Sequence, residues 1–169
     1  FIMGQPNLDK YLLSKASKLK CIINVESNFM DNLDYDYCFK KNIHVIATSP
    51  VFSKPVAEIA LGMTLSLLRN IHNAHFDFIK SKEKYGLESN LQASLLTNKK
   101  IGLIGFGDLA KSLYPLLLPF SKNINVYDPW IPKKKIKKIG FNPINLNNMF
   151  SSCEVIYVLA TITKKNKHL

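Results

Sequence analysis

Residues 100–128 read KIGLIGFGDLAKSLYPLLLPFSKNINVYD, and a glycine-rich turn lies near the start of this segment. The apolar run Lys100–Ile104 before the turn predicts a buried strand, and the apolar run Leu113–Phe120 after it predicts a helix. The turn itself, residues 105–110, has the pattern G-x-G-x-x-A. Between a strand and a helix, this pattern is an accepted form of the dinucleotide-binding fingerprint.

Each small residue of the turn has a physical reason to be there. Gly105 permits the tight turn, and Gly107 lets the backbone approach a pyrophosphate. Ala110 is small enough for the helix to pack on the strand, and the N-terminus of that helix directs N–H groups at the phosphates. We therefore expect the cofactor to bind along residues Gly105, Phe106, Gly107, Asp108 and Leu109.

An acid follows the next predicted strand, Ile124–Tyr127. Asp128 lies at about the 20-residue interval expected for the carboxylate that accepts hydrogen bonds from ribose hydroxyls. A carboxylate there repels a 2′-phosphate, so NAD is favoured over NADP. The lysines that follow, Lys133–Lys135, could approach such a phosphate and leave NADP open.

A helix over Leu146–Ser151 and a strand over Val155–Leu159 complete a β-α-β-α-β order. This order is typical of one half of a Rossmann-like α/β fold with a doubly wound parallel sheet. Before residue 53, strands predicted at Cys21–Val25 and His44–Ala47 flank a helix and indicate another parallel pair. We therefore predict two domains, residues 1–52 and 53–169, joined by an apolar helix that begins near Pro55.

Composition limits the kinds of partner. The chain has 169 residues and a net charge of +11, but Arg69 is its single arginine. Because arginine is the residue that reads phosphates and bases bidentately, we expect no nucleic-acid partner. The apolar stretch Val56–Leu68 is shorter than the roughly 20 residues of a bilayer span, so we expect no membrane segment. Three cysteines without metal-ligand spacing favour reduced thiols in the cytoplasm and no metal site.

Several segments together resemble the D-isomer-specific 2-hydroxyacid dehydrogenase family. Residues 50–61, PVFSKPVAEIAL, are similar to the segment that opens its nucleotide-binding domain, with Val56-Ala57-Glu58 as the most recognisable triplet. Other matches are the glycine strand Ile101–Gly107, the strand end Tyr127–Trp130, the upstream pieces Asp31–Asp34 and Asn42–Val45, and the final run Thr163–Leu169. The matches occur in the family's order and cover nearly the whole chain.

The resemblance implies an oxidoreductase that moves a hydride between NAD and C2 of a small 2-hydroxy or 2-oxo acid. It implies that residues 1–52 end a flavodoxin-like substrate domain and that residues 53–169 begin the NAD-binding domain. Leu159, Ala160 and Thr161 would line the adenosine side of the cofactor. The family also implies a homodimer, and Asn70–Tyr85 is the segment that we expect at its interface.

The resemblance places no catalytic residue in this chain. The family's arginine, glutamate and histidine follow the position that corresponds to Leu169, so we expect the chain to be inactive alone. Arg69 and the four histidines, His44, His72, His75 and His168, are assigned to surface or packing roles. Where the family has a glycine-rich substrate loop, this chain has Ser27, Asn28 and Phe29, which are the candidate substrate-binding residues and leave the substrate undefined.

Two other functions remain open. One is a non-catalytic, dimerising protein of the same fold that senses NAD. The other is a methyltransferase that binds S-adenosylmethionine at the same turn, with Asp128 holding the ribose; the Val56-Ala57-Glu58 triplet argues against it.

Overall fold

The structure is a computed structural model that describes residues 1–4, 6–25 and 29–161. The chain forms two compact units, Phe1–Phe52 and Ser53–Leu169, and each contains a parallel sheet with helices. These sheets confirm the predicted α/β class. Ser27, Asn28 and the run Thr163–Leu169, which includes His168, lie outside the described residues.

The first unit has a three-stranded sheet in the order β1-β2-β3. Its elements are β1 (Ile2–Gly4), α1 (Lys10–Lys15), β2 (Cys21–Asn24), α2 (Tyr35–Lys40) and β3 (His44–Ala47). In the central strand, Ile22 pairs with Ile2 and Val45 in parallel register and is completely buried. The sequence did not predict β1, because a three-residue edge strand is too short to show a period.

The helix α3 (Ser49–Leu68) has 20 residues, because it begins before the apolar stretch Val56–Leu68. With a mean hydropathy of 1.4, it has the length and composition of a span, and those two properties alone leave the expectation of no membrane segment a prediction. One face packs against the core of the second unit, with Ala57 buried and Leu61 and Leu65 beside it. A second face is exposed: Ile59, Met63 and Leu67 are 62%, 61% and 64% accessible. An apolar helix at a domain junction would be expected to bury most of its sides, but among the described residues only one face of α3 is buried.

The second unit continues with two surface helices and a four-stranded parallel sheet in the order β6-β5-β4-β7. The helices are α4 (Ile71–Ile79) and α5 (Gly86–Asn90). The sheet region comprises β4 (Ile101–Ile104), α6 (Asp108–Leu117), β5 (Ile124–Tyr127), α7 (Lys133–Lys138), β6 (Asn142–Pro143), α8 (Leu146–Ser152) and β7 (Val155–Val158). All four residues of β4 are buried, which agrees with a central strand covered on both faces.

Proline explains two differences from the predicted elements of this unit. The helix α6 ends at Leu117 rather than at Phe120, because Pro119 has no N–H with which to continue the helical hydrogen bonds. The short strand β6 contains Pro143 and lies at the sheet edge, where a missing N–H is tolerated. Pro115 lies inside α6, where it has no N–H to donate to the carbonyl of Lys111, and we predict a bend there.

Candidate cofactor site

The carboxyl ends of three strands meet at one edge of the second sheet. Ile104 at the end of β4 pairs with Tyr127 of β5 and with Val158 of β7. Two hydrogen bonds continue the alignment past the strand ends, from Gly105 N–H to Tyr127 O (2.8 Å) and from Leu159 N–H to Ile104 O (2.8 Å). The three predicted cofactor segments, which begin at residues 105, 128 and 159, therefore lie side by side.

Gly105 occupies a position that admits no side chain. Its φ is +90°, a conformation that L residues rarely adopt. A Cβ added there would lie 2.9 Å from both the N and Cα atoms of Ala160. Gly105 therefore allows the turn and also the close approach of the segment after β7.

Gly107 presents the opposite situation, because a Cβ added there would meet nothing within 4 Å. This residue is the N-cap of α6 and provides no side-chain cap. The N–H groups of Leu109 and Ala110 lie in the first helical turn, where no carbonyl inside the helix can accept from them. The open space in front of Gly107 thus faces backbone donors and the positive end of a helix dipole, which together suit an anion.

Two charges lie at the same helix end. The carboxylate of Asp108, in the first turn of α6, contacts the ammonium group of Lys111 at 3.6 Å between Oδ1 and Nζ. Both side chains are substantially exposed, so this ion pair contributes little to stability. Lys111 offsets the acid that would otherwise oppose a bound phosphate.

Asp128 is held by three backbone N–H groups. Its Oδ2 accepts from Phe106 N–H at 2.8 Å, and its Oδ1 accepts from Trp130 N–H at 2.8 Å and Ile131 N–H at 3.1 Å. A carboxylate offers about four acceptor positions, so one position on Oδ2 remains for a ribose hydroxyl. The sequence missed the bond to Phe106, although Asp128-Pro129 did signal the turn through Trp130 and Ile131.

The segment after β7 supplies the remaining predicted contacts. Leu159 packs against the core, Ala160 faces Gly105 and Thr161 is exposed. These small and apolar side chains border the same open edge as Gly107 and Asp128. The described residues therefore fit a dinucleotide: an open glycine turn and helix N-terminus for the pyrophosphate, a carboxylate for the ribose, and a wall beside them.

The first unit carries the candidate substrate loop at the end of β2. Phe29 is 56% exposed, and its ring meets the ring of Tyr35 edge-on at a centroid distance of 6.2 Å. Burial raises the pKa of Tyr35, whose hydroxyl donates to Met30 O. Thr48 Oγ1 donates to Asn24 O at 3.0 Å and ties the ends of β2 and β3 together. Ser27 and Asn28 lie outside the described residues, so their placement remains an expectation.

No metal-binding cluster occurs in the described part of the chain, where no three His, Cys, Asp or Glu side chains come together. The three described histidines, His44, His72 and His75, are all exposed. The guanidinium of Arg69 donates a hydrogen bond to Oδ1 of Asn90, the last residue of α5, at 3.2 Å.

Comparison with known proteins agrees with this geometry. The sequence profile of the family described as "D-isomer specific 2-hydroxyacid dehydrogenase, NAD binding domain" matches residues 61–169. The chain is 28% identical over 163 residues to D-3-phosphoglycerate dehydrogenase of Methanocaldococcus jannaschii, covering 94% of this chain and 30% of that protein. It is 26% identical over 174 residues to hydroxypyruvate reductase of Thermotoga maritima, covering 97% of this chain and 55% of that protein.

Solved structures give the same picture. A phosphoglycerate oxidoreductase from Rhizobium etli superimposes with a TM-score of 0.76 at 40% identity, over 96% of this chain and 50% of its own. D-lactate dehydrogenase from Aquifex aeolicus, solved with NAD and lactic acid, gives a TM-score of 0.75 at 27% identity, over 94% of this chain and 46% of its own. This chain thus spans about half of each solved relative.

The cofactor is NAD, because the matched domain is an NAD-binding domain and its fingerprint is intact at the turn. The profile match covers more than half of the chain. The chain therefore belongs to the D-isomer specific 2-hydroxyacid dehydrogenase family, and residues 61–169 match its NAD-binding domain.

Proposed function

We propose that the whole protein is a cytoplasmic NAD-dependent oxidoreductase that interconverts a 2-hydroxy acid and its 2-oxo acid. The single observation that carries the proposal is the open turn at Gly107, with Asp128 beside it at the same sheet edge. The similarity to D-3-phosphoglycerate dehydrogenase, hydroxypyruvate reductase and D-lactate dehydrogenase supports a 2-hydroxy or 2-oxo acid as the substrate class. The relatives named here are dehydrogenases, reductases or oxidoreductases, and they favour the enzyme over the non-catalytic NAD sensor.

In this proposal, the described residues bind and orient the cofactor. The backbone of Gly107, Asp108 and Leu109 holds the pyrophosphate, and the remaining acceptor position of Asp128 takes a ribose hydroxyl. The segment Leu159–Thr161 lines the adenosine side. When bound, NAD supplies the chemistry of hydride transfer at its nicotinamide ring. Binding of the adenosine half fixes the position from which the nicotinamide ring reaches the substrate. These residues therefore contribute mainly to positioning.

The first unit is assigned to the substrate domain. Its candidate loop, with Ser27, Asn28 and Phe29, follows a strand of a parallel sheet, and ligands of such sheets bind beyond the carboxyl ends of the strands. Exposure of the Phe29 ring supports a role for this loop in contacting a ligand or a partner. The family's glycines are replaced here by residues with side chains. These side chains restrict the backbone conformations in which the N–H groups of the loop could meet a substrate carboxylate.

We propose that no residue of this chain transfers the substrate proton. The three described histidines are exposed, and the guanidinium of Arg69 is hydrogen-bonded to Asn90 of α5. The groups that transfer the proton and hold the carboxylate would come from the remaining length of the protein, since this chain spans 30% to 55% of the curated relatives described above.

The test is a cofactor titration of the chain. Its one tryptophan, Trp130, lies two residues after Asp128 and is 83% exposed, so NADH binding should quench its fluorescence by energy transfer. We expect saturable binding of NADH, competition by ADP-ribose and no turnover of 2-oxo acids. Tight binding of S-adenosylmethionine without binding of NADH would refute the proposal. Turnover of a 2-oxo acid by this chain would refute the assignment of catalytic groups elsewhere.

We also propose a homodimer formed through the second unit. The exposed stripe Ile59–Met63–Leu67 on α3 and the exposed Phe76, Phe78 and Ile79 on α4 supply apolar area, which a soluble monomer rarely leaves uncovered. Sedimentation should show a dimer that Met63→Lys dissociates. Ile139→Lys, at another half-exposed apolar position of the same unit, is the matched control. A monomeric wild-type chain would contradict this assignment.

A further inference from the structure

Asp128 connects two loops at the edge of the sheet. One oxygen accepts the N–H of Phe106 in the glycine turn, and the other accepts the N–H groups of Trp130 and Ile131 in the loop after β5. We propose that Asp128 is a positioning residue for the pyrophosphate turn, separately from any contact with the ribose. This inference rests on the proposed NAD site and concerns how that site is kept ready.

The N–H of Phe106 needs the carboxylate. Phe106 is 3% exposed, and its ring packs against Phe141 with centroids 4.6 Å apart, so its backbone lies at the surface of the core rather than in water. The strand β4 has ended at Ile104, and the helix α6 starts only at Asp108. Neither the strand nor the helix therefore offers an acceptor to Phe106 N–H, and a buried N–H without an acceptor is destabilising because it has lost its bond to water.

The turn also needs an external restraint. Glycines occur on both sides of Phe106, and glycine has the largest backbone freedom to lose when a segment is fixed. A charged acceptor forms shorter and stronger hydrogen bonds than a neutral one. Asp128 fixes Phe106 N–H before the cofactor binds. Because the turn is already ordered, cofactor binding loses less conformational entropy.

The alternative is that Asp128 acts only as a ribose ligand. In that case, removal of the carboxylate lowers the affinity only of ligands that carry the ribose hydroxyls from which Asp128 accepts hydrogen bonds. If Asp128 positions the turn, removal of the carboxylate lowers the affinity of every ligand whose pyrophosphate contacts the turn. An NADH analogue without the 2′- and 3′-hydroxyls on the adenosine ribose therefore separates the two roles.

The variant is Asp128→Asn. An asparagine side chain has a single acceptor oxygen, so it cannot accept from Phe106 and from Trp130 with different oxygens as the carboxylate does. Asp36→Asn is the matched control, since Asp36 is an exposed carboxylate in the first turn of α2 in the other unit. Both variants and the wild type are titrated with NADH and with the dideoxy analogue.

We expect Asp128→Asn to lower the affinity for the dideoxy analogue by about tenfold. This is the effect of one lost hydrogen bond of about 1.4 kcal/mol. Asp36→Asn should leave its affinity unchanged. An unchanged affinity of Asp128→Asn for the analogue, combined with weaker NADH binding, would show a ribose ligand only and overturn the inference.

A measurement without ligand tests the inference in the wild type itself. Amide hydrogen exchange of Phe106 should be slowed by its bond to Asp128, although the residue lies outside helix and strand. Rapid exchange at Phe106 in the wild-type chain would overturn the inference even if NADH binds. Slow exchange at Phe106 in a chain that binds no NADH would support the hydrogen bond from Phe106 to Asp128. That result would refute the proposed cofactor site instead.

Discussion

The starts of helices α2 and α6 show how one fold class produces an open helix end in one unit and a capped helix end in the other. Both helices follow a strand of a parallel sheet. At α2, the carboxylate of Asp34 accepts Tyr37 N–H at 2.9 Å and satisfies the helix end from within the chain. At α6, the N-cap is Gly107, which has no side chain to do so. The donors of α6 therefore remain available to an external anion.

The difference also involves charge. The Asp34 carboxylate places a negative charge at the positive end of α2, which favours the helix but would repel a phosphate. At α6, the first-turn acid Asp108 is paired with Lys111, and the open space at Gly107 leaves the N-cap position for a ligand's own charge. In the proposed site, the pyrophosphate would take the place of the cap that the protein itself does not supply at α6. Three substitutions test this contrast.

The largest effect is expected from Gly107→Asp, which gives α6 the kind of cap that α2 has. The backbone at residue 107 is extended, with φ −83° and ψ −158°, so an aspartate fits it without strain. We expect its carboxylate to take the helix donors and repel the pyrophosphate, weakening NADH by at least about a hundredfold, or about 2.7 kcal/mol. Titration of Trp130 fluorescence measures the change.

Folding provides the control for this variant. Because a Cβ at residue 107 meets no neighbour and aspartate is a good N-cap, the free energy of unfolding in urea should stay constant or rise by a few tenths of a kcal/mol. Retained NADH affinity in a folded Gly107→Asp chain would mean that the cofactor does not use the start of α6.

A smaller effect, on folding rather than binding, is expected from Gly105→Ala. The change forces an alanine into φ +90° and its Cβ to within 2.9 Å of the Ala160 backbone. We expect a loss of about 2 kcal/mol or more in the free energy of unfolding, from backbone strain and from overpacking. Gly107→Ala is the matched control, with the same change of residue type in open space. Equal stability of the two variants would contradict the distinction drawn between the two glycines.

The sequence predicted the central strands and the glycine turn because their causes are local. Buried parallel strands are continuous apolar runs, as at Ile101–Ile104, and the turn needs glycine at fixed spacing. The bond between Phe106 and Asp128 was missed because it joins a backbone group to a side chain far away in the sequence. The edge strands β1 and β6 were missed because two or three residues carry no period, and Pro143 argues against a strand.

The smallest effect is expected from Asp34→Ala at the capped helix. Removing the side chain leaves Tyr37 N–H without its acceptor, and loss of an N-cap typically costs about 1 kcal/mol. Asp34→Asn separates the cap from the charge, because asparagine caps about as well as aspartate but is neutral. We expect Asp34→Asn to keep most of the stability in urea unfolding and both variants to bind NADH like the wild type. Weaker NADH binding by Asp34→Ala alone would show that the cap of α2 contributes to the cofactor site after all, so that the two helix starts are not independent.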